Sequence, residues 1–356
     1  MTMNMNRSIK IPASKPSFDH IDAILRDTRS VLESGRLILG PYTQAFEIAF
    51  AKYIGVPYAV ATSSCSAALE IVLKYVDVKD REVIVPANTF IACPNSVVYA
   101  GGIPVFAETR EDTFCLDYED VIQKVTPRTK VIMAVHLAGM PMPEILKLKT
   151  FCKKRRIFLL EDGSHAHGAT INNKKIGSIG DAGCFSFYPT KTMTTGVGGM
   201  ITTRDTKLVA FARSMRHHGQ GERLDTIKTW GNDWIMDEIS AVLGIHQLSS
   251  LDKNMERRNR IARRYVKGLE KIDGIIHASP PTNIRHAYYK FLITVTTDTS
   301  REKIIETLQA DGIEAGALYG LPCYLHPIYK KRGYKRGFCP ETEKIISRQG
   351  ALPVFS

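Results

Sequence analysis

Lys191 stands in the run FSFYPTKTMTTGVGGMITT, just after an apolar stretch that presents the hydroxyl of Ser186. Upstream, the apolar run RIFLLED delivers the carboxylate of Asp162, followed by GSHAHGA. An acid, a hydroxyl and an amine shielded among threonines and glycines are the parts needed to hold pyridoxal phosphate as a Schiff base. The acid keeps the pyridine nitrogen protonated, because a buried carboxylate favours the charged pyridinium. The amine must also be freed. A lysine ordinarily titrates near ~10.4, and burial beside a cationic ring lowers that value. Lys191 is the candidate for the amine, with the chemistry of amino-group transfer. Thr190, Thr192, Thr194 and Thr195 supply hydroxyls, and Gly196, Gly198 and Gly199 permit close backbone approach.

The phosphate needs its own cradle. ATSSCSAALEIVLKY (61–75) is a small polar run opening into an amphipathic helix. The free N–H groups of such a helix start attract an anion. The expected phosphate position lies between the N–H groups of Cys65 and Ser66 and the Ser186 hydroxyl. Alone, the same run reads as an ordinary N-cap, and Ser186 tips the balance. Asp162 alone reads equally as a cap after a strand. His165 is placed to stack on the ring or contact its phenolic oxygen, with a packed or surface histidine as the plain alternative. Phe90, in VPANTF, is a candidate for stacking on the outer ring face, although an aromatic after a strand is usually core. Asp162, His165 and His167 crowd one loop without a distant partner motif, so no metal site is expected.

These residues require a scaffold. The runs YAVAT, EVIVPA, IPVFAE, KVIMAVHL, RIFLLED and GCFSFY alternate with helical patterns between about 58 and 205. Apolar strands without in/out alternation, separated by helices, specify an α/β fold whose mostly parallel sheet is sandwiched by helices. Ligands gather at the carboxyl ends of such strands. Helices are expected near 17–34 and 43–54, broken by Gly40-Pro41. A long charged helix over 252–272 links to a smaller α+β part with a strand at 288–295 and a helix at 300–315 closed by Gly312. The expected division is a large coenzyme-binding domain over 1–250 and a small C-terminal domain over 251–356. ALPVFS at the end resembles the start of a strand. No internal repeat or low-complexity tract is visible.

Composition narrows the class. The 356 residues are 44% hydrophobic and 24% charged, as in an ordinary globular protein. Seven cysteines (65, 93, 115, 152, 184, 323, 339) form no C-x-x-C pair, which suits a reducing cytoplasm better than a disulfide framework. The N-terminus lacks a signal-peptide core, and no apolar run approaches the ~20 residues of a membrane helix. The net charge of +12 suits an anionic substrate, and equally a merely basic surface. KKRR (153–156) and KKRGYKR (330–336) lack the interleaved aromatics of a nucleic-acid platform.

From about Gly40 onward the chain resembles the DegT/StrS-like family of sugar aminotransferases. The ordered landmarks are GPYTQAFEIAFAKYIG, SSCSAALEIVL, VIVPANTFIA, IPVFAE, VHLAGMP, EDGSHAHGA, FSFYPTK, GGMITT and LGIHQLSSLD. The resemblance implies the fold-type I architecture with a seven-stranded sheet, pyridoxal phosphate as cofactor, and a homodimer with shared sites. It also implies glutamate or glutamine as amino donor and a keto sugar, usually nucleotide-linked, as acceptor. By that resemblance Lys191 forms the Schiff base, Asp162 meets the pyridine nitrogen and His165 contacts the ring or phenolic oxygen. Cys65, Ser66 and Ser186 take the phosphate and Phe90 stacks.

Four departures stand out. Cys65-Ser66 replaces a common Gly-Thr, and Val197 replaces a common Glu. In GNDWIMDE (231–238), Asp233 and Ile235 stand where the family has an Asn and an Arg, the Asn reaching the neighbouring subunit's phosphate. The family also continues past the final LP into a last helix, so a truncated or reduced small domain is expected here. LYGLPCYLHPIY (318–329) offers Tyr319 and His326 as acceptor-side candidates, with packing and turn roles as the alternative. The competing readings are an enzyme acting on a cyclic keto compound without a nucleotide, such as an inosose or an aminoshikimate-type precursor, and a non-catalytic coenzyme-binding relative.

Overall fold

The computed structural model describes residues 9–221 and 226–355. Its centre is a seven-stranded sheet built from β1 (Tyr58–Thr62), β2 (Glu82–Pro86), β3 (Ile103–Ala107), β4 (Thr129–Val135) and β5 (Phe158–Asp162), with two further strands, β8 and β9. Between them, β6 (Thr170–Ile171) and β7 (Lys174–Lys175) form a short hairpin off the sheet. β8 (Ala182–Ser186) and β9 (Gly199–Thr203) complete the main sheet in the spatial order β1-β9-β8-β5-β4-β2-β3. Only β9 runs against its neighbours. The strands are almost entirely buried, which explains runs such as VIV and FLL that lack in/out alternation.

Connecting helices cover both faces. α1 (Ile21–Ser34) and α2 (Pro41–Ile54) precede β1, and α3 (Cys65–Val76) follows it. α4 (Ala92–Tyr99), α5 (Tyr118–Lys124) and α6 (Ile145–Arg155) link the parallel strands, and α7 (Thr206–Met215) follows β9. The break at Gly40-Pro41 has a physical reason. The Glu238 carboxylate accepts the N–H groups of Gly40, Tyr42 and Thr43 at 2.8–2.9 Å, capping α2 from a distant part of the chain. A Cβ on Gly40 would sit 2.6 Å from that carboxylate and push the cap aside.

The linking helix is longer than expected. α8 spans Glu238–Leu269 and packs on α1 and α2 before it reaches the smaller layer, so it crosses the boundary expected at 250. Its Gly244 lets the Phe46 ring of α2 approach, since a Cβ there would lie 2.6 Å from the ring. Beyond it, β10 (Ile275–His277), β12 (Phe291–Val295) and β13 (Gln349–Leu352) form a three-stranded antiparallel sheet, while β11 (Ile284–Arg285) pairs with β6. α9 (Arg301–Ala310), the single turn α10 (Pro327–Lys330) and α11 (Pro340–Arg348) complete this part. The strand expected at 288–295 begins at Phe291, because Tyr288 adopts a left-handed conformation (φ 46°) that interrupts extension. ALPVFS does contribute to a strand, since Ala351 and Leu352 pair with Leu292 and Phe291.

Four phenylalanines fix the part of the sheet that matters most. Phe46 and Phe50 of α2 meet Phe187 and Phe185 at ring separations of 5.2 and 5.0 Å, and all four are buried. This packing clamps β8 and the start of the loop that carries Lys191.

Candidate active site

β5 and β8 are neighbours and parallel, so Asp162 and Ser186 emerge at the same edge of the sheet. β1 ends there too, and α3 starts from it. Between β1 and β8 runs β9, whose Gly199 is in register with Thr62 on one side and Ser186 on the other. A Cβ on Gly199 would stand 2.3 Å from the Ser64 carbonyl carbon and 2.6 Å from the Cys65 nitrogen. The glycine therefore lets the start of α3 close down on the sheet edge.

At that helix start, Ser64 is the N-cap. Its Oγ accepts the Ala67 N–H at 3.1 Å, and its carbonyl accepts the Ala68 N–H at 3.1 Å. The N–H groups of Cys65 and Ser66 carry no protein acceptor among the described residues. Two free donors at a helix start, facing the Ser186 hydroxyl across one cavity, make an anion cradle. The Cys65 thiol is buried, accepts the Ser164 hydroxyl at 3.0 Å, and is pushed well up by burial, so its backbone rather than its sulfur is available.

The cavity measures about 570 Å³. Cys65, Ser66, Phe90, Asp162, His165, Ser186, Lys191 and Tyr319 all line it. His326 does not; it stands before α10, with no side-chain capping bond. Buried polar groups, Asp162 and His165 among them, line it together with buried apolar ones such as Leu69 and Val135 and an apolar part of the rim. Phe90, Tyr188 and Val197 are each more than half exposed there, and Phe90 lies 6.2 Å from the Tyr319 ring. Exposed aromatic surface over buried polar groups suits a flat heteroaromatic ring.

Asp162 is buried. Its Oδ1 accepts the Ser164 N–H at 2.9 Å, and its Oδ2 accepts the Cys93 thiol at 3.0 Å. Each oxygen keeps lone-pair capacity for a further donor. His165 is buried, and burial together with the nearby Lys191 amine drives its titration well below the usual histidine range. It is therefore neutral. Nδ1 accepts the Ala138 N–H at 3.2 Å, which leaves the proton on Nε2.

Lys191 sits on the loop between β8 and β9. The loop closes on itself: Phe187 donates to the Gly198 carbonyl at 2.9 Å, and Thr195 N–H donates to the Phe187 carbonyl at 3.0 Å. The threonine hydroxyls mostly hold the loop. Thr194 bonds the Phe187 carbonyl, Thr195 the Val197 carbonyl, and Thr192 the His167 ring. The Lys191 amine has no hydrogen-bond acceptor among the described residues. It stands 4.8 Å from the centre of the Tyr289 ring. Burial pulls its titration down to about 8, against the opposing pull of the Asp162 charge. A useful fraction of the amine is free base near neutrality.

Tyr289 was not among the residues read from the sequence. Its ring stacks on His165 at 4.2 Å and 19°, and its hydroxyl pairs with Thr190 Oγ1 at 2.9 Å. It therefore joins His165 to Thr190, the residue before the candidate lysine. Asp233 is exposed and Ile235 half-buried, and neither lines the cavity of its own chain.

The residues present fit pyridoxal phosphate. The Gly199 cradle with its two unpaired N–H groups matches a phosphate, the pinned carboxylate matches a protonated ring nitrogen, and the amine with lowered titration matches an aldehyde.

Comparison with known proteins agrees. The model of the DegT/DnrJ/EryC1/StrS aminotransferase family matches residues 19–356. The spore coat polysaccharide biosynthesis protein SpsC of Bacillus subtilis is 35% identical, over 93% of this chain and 89% of its own length. A UDP-N-acetyl-3-dehydro-alpha-D-glucosamine 3-aminotransferase of Acidithiobacillus ferrooxidans is 31% identical, over 99% of this chain and 94% of its own. The crystal structure of DesV of Streptomyces venezuelae, in complex with a ketimine intermediate, superposes with a TM-score of 0.88 at 31% identity, covering 94% of this chain and 88% of that one.

Proposed function

The chain belongs to the DegT/DnrJ/EryC1/StrS aminotransferase family, and we propose that it moves an amino group from glutamate or glutamine to a nucleotide-linked keto sugar. It is a pyridoxal-phosphate-dependent sugar aminotransferase of the fold-type I architecture. The observation that carries the finer reading is the convergence of Asp162, Ser186, Lys191 and two free helix N–H groups on one cavity. Relatives whose names specify a nucleotide sugar, such as the Acidithiobacillus enzyme, support the acceptor class.

When bound, the coenzyme supplies an electron sink for the electrons released as a substrate carbon loses its proton. The chain's residues do the rest. The N–H groups of Cys65 and Ser66 and the Ser186 hydroxyl hold the phosphate dianion. Asp162 holds the proton on the ring nitrogen by charge. Phe90 covers one ring face and excludes water. Lys191 would hold the coenzyme aldehyde through its amine. As a free base, the same amine would take the proton from the substrate α-carbon and return it on the other side of the reaction. His165, neutral and with its proton on Nε2, is a hydrogen-bond donor towards the ring oxygen. Tyr319, which lines the cavity beside Phe90, meets the acceptor.

A homodimer accompanies this reading. Ile21, Leu25 and Leu32 of α1 are each more than half exposed and form an apolar outer stripe, which a second copy of the chain would cover.

The test is a screen of the pyridoxamine-loaded protein against keto sugars with and without a nucleotide, read by return of the coenzyme's yellow absorbance. A response to nucleotide-linked keto sugars is expected. A response confined to free cyclic ketones would replace the acceptor class proposed here.

A further inference from the structure

We propose that Cys93 is a positioning residue for Asp162, its S–H bond to Oδ2 fixing the plane in which the carboxylate meets the coenzyme ring nitrogen. The inference rests on the role of Asp162 given above and assigns its supporting partner.

Cys93 lies in α4 and is 1% exposed. Its sulfur is 3.0 Å from Asp162 Oδ2, while Ser164 N–H holds Oδ1 at 2.9 Å. Donors from two different elements thus grip the two oxygens. The terminal torsion of an aspartate is broad when unrestrained, and this pair of bonds selects one orientation. The remaining lone pairs are left to face the cavity.

The thiol is suited to be the donor. Burial, and next the Asp162 charge, hold its titration well above the ordinary thiol range, so sulfur keeps its proton. The Thr89 hydroxyl lies 3.1 Å from the same sulfur. Because the S–H is spent on Asp162, the hydroxyl donates to sulfur. The Thr89 carbonyl in turn accepts the Cys323 thiol at 3.1 Å, and Cys323 N–H donates to the Ala87 carbonyl at 2.9 Å. A continuous run of bonds therefore ties the segment following Tyr319 to the carboxylate at the cavity floor. Such a network holds one geometry better than its separate members do. The plain alternative is that Cys93 is a small apolar filler whose proton does nothing.

Infrared spectroscopy of the coenzyme-free protein separates the two. Other thiols also donate, Cys323 to the Thr89 carbonyl among them, so the Cys93 band is the one that Cys93→Ser removes, and it is expected at lower wavenumber than a free thiol shows. It should vanish in Cys93→Ala and Cys93→Ser, and move back towards the free value in Asp162→Asn. Coenzyme affinity should fall about tenfold in Cys93→Ala, the loss of one bond to a charged group, and recover in Cys93→Ser, which keeps a donor. A band at the free-thiol position, or one indifferent to Asp162→Asn, overturns the proposal, as does unchanged affinity in a folded Cys93→Ala protein. If Cys93→Ala does not fold, the wild-type band, identified by its loss in Cys93→Ser, decides. Failure of the wild-type protein to take up coenzyme overturns the role of Asp162 itself. Uptake with an undisplaced band overturns only the role of Cys93.

Discussion

The Lys191 amine lies 4.8 Å from the centre of the Tyr289 ring. The same ring is stacked on His165 and bonded through its hydroxyl to Thr190, the residue before the lysine. Tyr289 thus sets the amine, the loop that carries it and the neutral histidine against one rigid plane. An aromatic face attracts an ammonium ion and favours the charged amine, while burial opposes it.

Replacing Tyr289 by Leu removes that attraction. In the coenzyme-free wild-type protein, the rate of Lys191 acylation should rise with pH around a midpoint of about 8. In Tyr289→Leu the midpoint should fall by about half a unit, the worth of a modest cation–π contact. Tyr289→Phe keeps the face and loses only the Thr190 bond, so its midpoint should barely move. Peptide mapping of the acylated lysine after timed reaction gives the rates.

The lowered titration of Lys191 also sets a pH dependence of stability. Below about pH 8 the amine is protonated in both folded and unfolded chains, and the folded state bears the full cost of burying the charge. As pH rises from there to the ordinary lysine value of ~10.4, that cost is relieved. Coenzyme-free Lys191→Met should therefore be more stable than wild type by about 1–3 kcal/mol at pH 7, given partial solvent screening. The advantage should shrink between pH 8 and 10. Urea melts at several pH values provide the comparison, and a pH-independent difference would contradict the assigned cause.

Gly199→Ala probes the phosphate cradle. The new methyl would press on the Ser64 carbonyl at 2.3 Å and drive the start of α3 off the sheet edge. The expected cost is about 1–3 kcal/mol of stability, together with a loss of coenzyme affinity larger than that caused by Ala at Gly196, where open space surrounds the position. Gly196 has a positive φ of 82°, so its alanine variant carries backbone strain without a clash at the cradle. Equilibrium binding of pyridoxal phosphate to the two variants is the comparison.

Asp162→Asn keeps the side chain's size and can still accept the Ser164 N–H, but loses the charge that holds the ring nitrogen's proton. Its kcat/KM for any accepted amino donor should fall by about 10²–10³-fold or more, the scale of losing one aimed electrostatic contact. Near-normal turnover in this variant would show that another group supports the ring nitrogen.

Most of the candidate site could be read from the chain because its parts sit at strand ends with distinctive neighbours. Asp162, Ser186 and the Cys65-Ser66 helix start each follow an apolar strand, and parallel strands bring such ends to one edge. Lys191 was legible from its threonines and glycines, although those threonines turn out mostly to brace the loop. Tyr289 and Cys93 were not legible. Tyr289 belongs to YYKFLITV, where an aromatic inside an expected strand looks like core, whereas the chain turns left-handed at Tyr288 and the strand begins only at Phe291. Cys93 lies inside a helix, where a cysteine reads as a small apolar residue, and only its distance to Asp162 reveals the bond. His326, just before α10, does not line the cavity that Tyr319 lines. The long helix was placed too late in the sequence because its first half is buried against α1 and α2 and lacks the charges that marked the second half.

The most direct measurement is borohydride reduction of the coenzyme-loaded protein followed by peptide mass spectrometry. One pyridoxyl group is expected on the peptide containing Lys191, and none in Lys191→Ala treated the same way. A stable label on a different lysine, or labelling that persists in Lys191→Ala, would contradict the placement of the coenzyme in this cavity.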